Sequence, residues 1–438
     1  MAYPDKTIGL GIRLGLAAIV AVFGLAGCGS STSSTTSLPS PALSAVPSPT
    51  SGLTDLPSSA STDLATETPG PASAMKFVAT ASMGTAREDA TATLLQNGKV
   101  LIAGGTTELG PGWNPFTSAE LYDPATGEFT ETGSMNAARV NHTATLLADG
   151  RVLIAGGYGC SDPEHCSNMA AATPVVPLAS AEIYDPKTGK FTPTGSMTAA
   201  RASATATRMP DGRVLLAEGV GLPNPTADVY DPKSGTFVET GQGIGLLYAS
   251  AVLLPNGKVL VVGLLRQSTS VGAELYDEAA GKFTKISLAL ASGAAPAVQY
   301  KGSDVAATWP QATLLGDGRV LLFNSGYLET YDPATGACAS AGFISPGAQW
   351  VSETATLLAD GRVLFEGGSL YSDPANYTYV MTNTAVLYDP SSGSSATGLA
   401  GAPRTYHTAT LLSDGSVLIA GGEDVDYKPL ASAELFKP

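Results

Sequence analysis

One phrase recurs along this chain and constrains its fold more than any other feature. Its clearest copies are TATLLQNGKVLIAGG at Thr91–Gly105, HTATLLADGRVLIAGG at His142–Gly157, TATLLADGRVLFEGG at Thr354–Gly368 and HTATLLSDGSVLIAGG at His407–Gly422. Looser copies run over Thr205–Gly219, Ser250–Gly263 and Gln311–Gly326, making seven in all. A repeat of this period specifies units that bury their faces against neighbouring units, so the 438 residues need no single large core.

Each unit carries four strand signals. TATLL comes first, with small residues that suit crowding near a central axis. An Asn-Gly or Asp-Gly pair follows in every unit: Asn97-Gly98, Asp149-Gly150, Asp211-Gly212, Asn256-Gly257, Asp317-Gly318, Asp360-Gly361 and Asp414-Gly415. Such pairs tolerate the positive φ of a type I′ hairpin turn. The second strand, VLIA or similar, is apolar on both faces, as a buried strand is. The third is SAELYDP, with Tyr122, Tyr184, Tyr230, Tyr276, Tyr331, Tyr388 and, in the last copy, Phe436. The fourth carries Phe129, Phe191, Phe237 or Phe283, and the aromatics are expected to fill the space between units. The last copy stops at Pro438 after its third strand, while Lys76–Met83 matches the fourth-strand segment Lys190–Met197. The N-terminal strand is therefore expected to complete the last unit, closing a ring and covering exposed edges. The fold class is all-β, a seven-bladed β-propeller.

These features resemble the kelch repeat: an apolar run ending in Gly-Gly, a following Tyr, and an aromatic on the last strand. The resemblance covers residues 75–438. The last-strand aromatic is Phe rather than Trp, and the fourth and fifth units have Val262-Gly263 and Asn324-Ser325 in place of the Gly pair. More narrowly, the pattern resembles the central propeller domain of galactose-oxidase-type proteins.

Residues 1–28 read as a lipoprotein signal peptide. Lys6 and Arg13 precede an apolar run, Leu14–Gly27, too short to span a bilayer comfortably, and Leu25-Ala26-Gly27-Cys28 resembles the bacterial lipobox. That resemblance implies lipidation of Cys28 and an extracytoplasmic domain anchored to the bacterial membrane or cell surface. Residues 29–74, rich in Ser, Thr and Pro, read as a disordered tether able to reach about 100 Å in extended form. A formal net charge of −15 argues against nucleic acid and against peripheral binding to anionic lipid, so the expected membrane contact is the anchor alone.

Candidate site residues fall into four groups. Arg87, Arg139, Arg201 and Arg404 share one repeat position on contiguous blades. They suit either an anion-binding arc or pairing with the third-strand acids Glu120, Glu182, Asp228 and Glu434. Trp113 and Phe116 in the first blade's loop, Tyr371, Tyr377 and Tyr379 in the sixth's, with Trp350 and Tyr406, form a possible aromatic patch for sugar rings or protein. Tyr406-His407 resembles the galactose-oxidase segment that bears an axial Tyr and a His copper ligand. A copper-radical site also needs a further His, which that family draws from a C-terminal domain, and a Tyr–Cys crosslink. Only His142, His165 and His407 are present, and His142 repeats the His407 position, so no cofactor is expected. Cys160 and Cys166 in one long loop are expected to pair as a disulfide, with a zinc site through His165 as the alternative. Cys338 reads as a buried thiol. The expected function is binding of an extracellular glycan or protein on the loop face; the alternative is a carbohydrate-active enzyme of the galactose-oxidase type.

Overall fold

The computed structural model describes residues 75–107, 114–160, 175–221, 225–266, 270–288, 297–300, 303–306, 310–324, 326–344, 350–351, 354–373 and 378–438. It is a ring of seven four-stranded antiparallel sheets. The first blade runs Thr91–Leu94, Val100–Ala103, Ala119–Asp123 and Glu128–Glu131 from the axis outward. The next five repeat this order. The seventh takes Thr408–Leu411, Val417–Ala420 and Ala433–Lys437 from the C-terminus and Lys76–Ala79 from the N-terminal side, with Lys76 opposite Lys437 and Phe77 opposite Phe436. The innermost strands each touch the next around the full circle. They are mostly half-exposed, whereas the second strands are buried along their length, which places the former on a central channel.

The core is divided among the seams. Leu101 and Ala103 of blade one meet Val152, Ile154 and Tyr184 of blade two, and comparable clusters fill the other six seams. In blades one to four the third-strand Tyr stacks on the fourth-strand Phe, as with Tyr122–Phe129 at 4.8 Å and Tyr184–Phe191 at 4.7 Å between ring centres. The Tyr hydroxyl crosses to the preceding blade: Tyr122 to Thr80, Tyr184 to Thr132, Tyr230 to Thr194 and Tyr276 to Thr240, at 2.9–3.1 Å. A buried apolar seam is thus pinned by one polar contact at its outer end.

The inner hairpin turn differs from the type I′ expectation. Gly98 N–H donates to Leu95 O and Leu95 N–H to Lys99 O, with Gly98 left-handed and Asn97 not. This is a type I turn followed by a left-handed Gly, a three-residue loop. The Asn or Asp serves through its side chain instead. Asn97 Oδ1 accepts the Lys99 N–H at 3.1 Å, and Asp149, Asp211, Asn256, Asp317, Asp360 and Asp414 do the same two residues on. Cys338 also differs from expectation: it is half-buried on the outer strand of blade five, outside any disulfide.

Candidate functional site

The four arginines are committed to the scaffold. Arg87, Arg139, Arg201 and Arg404 are 0–2 % exposed. Arg139 donates through Nη1 to Gly156 O and Ser180 O, both at 2.9 Å, and through Nη2 to Ser180 Oγ at 2.9 Å and Glu182 Oε1 at 3.2 Å. Glu182 meanwhile accepts the N–H groups of Asn136 and Ala137 and the Asn136 amide. Arg87–Glu120, Arg201–Asp228 and Arg404–Glu434 repeat the pairing at 2.9, 2.6 and 3.2 Å. Burial lowers the pKa of Arg87, Arg139 and Arg201, opposed by the adjacent acid. The anion-binding arc is therefore corrected: these side chains clamp each crossing segment to its own third strand and do not face solvent. Blade six, which has Trp350 at the arginine position, has Val386 at the acid's, so both partners are absent together.

His407 is also internal. Its Nε2 lies 2.8 Å from Glu366 Oε2 and 3.3 Å from Thr354 Oγ1, and the Glu366 and His407 side chains are fully buried. His142 repeats this geometry, with Nε2 2.9 Å from Thr91 Oγ1. Burial, and secondarily Arg139, push His142 down to about 3, so its ring is neutral. Both rings cover a glycine of the preceding blade. A Cβ on left-handed Gly104 would stand 2.5 Å from Arg139 O and 2.7 Å from His142 Cε1, which is why the Gly pair recurs. His407, beside Tyr406, has its ring engaged in a seam, and among the described residues no group of three His, Cys, Asp or Glu is placed to hold a metal ion.

The aromatic patch is described in part. Trp113 and Tyr377 lie outside the described residues, as do Cys166, His165 and the Cys160 side chain, and with them the expected disulfide. Phe116 packs on Arg87, whose Cζ sits 5.5 Å from the ring centre. The backbones of Trp350–Val351, Ser369–Asp373 and Thr378–Met381 form a three-stranded sheet in the sixth blade's loops, with Trp350 opposite Leu370 and Tyr371 opposite Tyr379.

A different set of residues shares one repeat position at the entry to the innermost strands. Two positions before the TATLL segment or its counterpart, Asp89, Asn141, Ser203, Tyr248 and Tyr406 all have φ between 50° and 55°, Tyr248 lying inside the longer strand Leu246–Leu253 where its register shifts. They belong to blades one, two, three, four and seven. All are half-buried, and in four of the five the preceding residue is buried. Adjacent members are joined through the backbone: Asp89 N–H donates to Tyr406 O at 3.1 Å and Ser203 N–H to Asn141 O at 2.9 Å. A left-handed backbone costs an L-residue about 1–2 kcal/mol, and bulky side chains are rare there. Glycine would remove that cost, and glycine fills the left-handed positions just after the second strand in most blades. At the entry to the innermost strands the chain keeps a carboxylate, an amide, a hydroxyl and two phenols instead. Burial and Glu423 raise Asp89 to about 7, so this carboxyl titrates near neutrality. Burial also raises Tyr248, and it raises Tyr158, on which Tyr248 acts electrostatically. Of these residues the sequence reading singled out Tyr406 alone. The five share a position but no residue type, and their common φ is invisible in the one-letter code.

The kelch motif profile matches residues 91–136, the first blade and its exit. No curated protein sequence matches the chain. Among solved structures, a fungal alcohol oxidase of the AA5 family, described in complex with copper, superposes with a TM-score of 0.61 at 18 % identity, covering 83 % of this chain and 76 % of that one. YjhT superposes with a TM-score of 0.49 at 14 % identity, covering 81 % and 96 %. The protein is a seven-bladed β-propeller of the kelch type. Its fold resembles that of galactose-oxidase-type proteins.

Proposed function

We propose that the protein is a lipid-anchored, extracytoplasmic binding module that takes a glycan, or a protein bearing one, at the mouth of its central channel. The observation carrying this reading is the ring of left-handed Asp89, Asn141, Ser203, Tyr248 and Tyr406. Side chains retained at a conformational cost, at one end of an otherwise uniform repeat, mark where the scaffold gives way to specificity. Phenol faces beside a carboxyl, an amide and a hydroxyl suit sugar rings, which offer apolar faces and ringed hydroxyls. Anchoring rests on the lipobox-like segment ending at Cys28 and on the Ser/Thr/Pro tether of residues 29–74, which would hold the mouth clear of the envelope. Binding is favoured over galactose-oxidase-type oxidation because His407 is engaged inside a seam. A glycan array probed with residues 75–438 tests this. Tyr248→Gly and Tyr406→Gly should keep the fold, since glycine relieves the left-handed backbone, and should lower binding at least about tenfold. Unchanged array signals in both variants would refute the mouth as the site. Cys28→Ala should release the protein from membranes; continued association would refute the anchor.

A further inference from the structure

The seam between blades three and four departs from its sisters in two linked ways. Blade four has Leu246 where blades one, two, three and seven carry the clamping arginine, yet it keeps the third-strand acid, Glu274. Blade three has Glu218 where blades one, two and seven carry the first Gly of the pair, and Glu218 takes the same left-handed backbone, with φ of 60°. The two carboxyl groups converge on one short crossing segment. Leu246 N–H donates to Glu218 Oε2 at 2.6 Å and Ile244 N–H to Glu274 Oε2 at 2.9 Å. The remaining oxygens, both Oε1, face the same side of Gly243, where a Cβ would lie 2.7 Å from the Glu274 oxygen and closer still to that of Glu218. Both residues are 0–1 % exposed. Neither Oε1 has an N–H donor among the described residues.

Two buried carboxylates cannot stand side by side with both ionised. In blades one, two, three and seven a guanidinium compensates the acid; here, among the described residues, the group that acts on Glu274 from blade three is a second carboxyl. We propose that Glu218 and Glu274 share one proton, which takes the place of the missing guanidinium and latches blade three to blade four, and that losing it loosens this seam and the Tyr248 corner of the mouth. The charged groups facing the pair agree with this. Arg266, whose Nη2 donates to Gly219 O at 2.7 Å, and Arg201 act on Glu218 from a distance. Arg201 is itself held by Asp228, with Glu239 nearby. Lys285 lies across from Glu274 in the strand register with its side chain exposed. Among the described residues, therefore, no cation stands between the two carboxyls. Burial raises both groups, and the Glu218 contact raises Glu274 further, to about 9. Since folding raises these values, the stability that the shared proton contributes is complete below the ordinary carboxyl range and is lost as pH climbs through about 9.

The test uses the full-length protein in an Asp89→Asn background, which removes the other carboxyl raised to near neutrality. Urea unfolding is followed from pH 6 to pH 9.5 for the parent, Glu274→Gln and Glu218→Gln. An amide supplies permanently the hydrogen that the shared proton supplies. The parent's unfolding constant should rise about tenfold per pH unit more steeply than that of either amide variant. Amide exchange at Ile244 and Leu246, corrected for intrinsic rates, should speed up at high pH in the parent alone. Equal pH slopes in all three proteins would overturn the proposal. Should the variants fail to fold, the parent's infrared spectrum decides. A protonated-carboxyl band at pH 7 that disappears by pH 10 supports the shared proton, and its absence at pH 7 refutes it.

Discussion

The pairing of Arg139 with Glu182 predicts a specific pattern in a double-mutant cycle. Replacing Arg139 by Leu removes four hydrogen bonds, to Gly156 O, Ser180 O, Ser180 Oγ and Glu182. It leaves Glu182, 2 % exposed, without a counter-charge. Breaking a buried pair in this way costs about 3–5 kcal/mol. Glu182 still accepts three N–H donors from Asn136 and Ala137, which places the expected cost near the lower end, about 3 kcal/mol. Glu182→Val should cost about as much, because it strands the guanidinium and orphans those donors. The double variant leaves no unpaired charge and reproduces the apolar choice blade six makes with Trp350 and Val386. It should therefore cost less than the two singles combined, with a coupling energy of about 2 kcal/mol. Urea midpoints at constant m-value on residues 75–438 give all three numbers. A single-variant cost below about 1 kcal/mol, or a coupling energy indistinguishable from zero, would refute the clamp and return Arg139 to candidacy as a ligand residue.

Four further outcomes follow from the geometry. Gly104→Ala should destabilise by more than about 2 kcal/mol, since the methyl meets Arg139 O and His142 in a left-handed backbone; a thermal midpoint within two degrees or so of the parent's would contradict the packing described. His142, depressed to about 3, contributes stability that is complete above its ordinary value and is lost as pH falls toward 3. His142→Gln should accordingly flatten the acid limb of the stability profile, and an unaltered limb would show that the ring is not buried neutral. Tyr184→Phe removes the hydroxyl that bonds Thr132 at 2.9 Å and should cost about 1 kcal/mol, whereas blade seven already has Phe436 at this position; a neutral effect would mean that the outer pin adds nothing. Incubation with Cu(II) should yield neither stoichiometric binding by metal analysis nor peroxide from galactose or other primary alcohols, and either result would reopen the oxidase reading.

Much of the scaffold is legible in the one-letter code because its causes are local. The turn pairs, the two-sided apolar run of Val152–Ala155 and the Tyr–Phe spacing act within one blade, and the repeat supplies seven readings of the first two and four of the third. Ring closure was legible for the same reason: a blade short of one strand at Pro438 and a spare strand at Lys76–Ala79 leave one pairing that covers both edges. Even here the turn chemistry was read only in part, since Asp-Gly suits both a type I′ turn and a type I turn closed by the Asp side chain.

The candidate site was less accessible, and the arginines show why. Their position was evident from the repeat, but whether Arg139 meets solvent or Glu182 depends on how the crossing segment folds back on the third strand, a contact 43 residues apart in sequence. The mouth residues Asp89, Asn141, Ser203, Tyr248 and Tyr406 have no shared chemistry to betray a shared backbone conformation. The sequence by itself determined the blade, the number of blades and the closure of the ring, because hydrophobic period and turn preference are properties of neighbours along the chain. Only the tertiary structure decided which polar groups are spent inside and which stand on a left-handed backbone before the inner strands. It also decided that Glu218 and Glu274 face one another, because burial, partnership and protonation belong to neighbours across a seam.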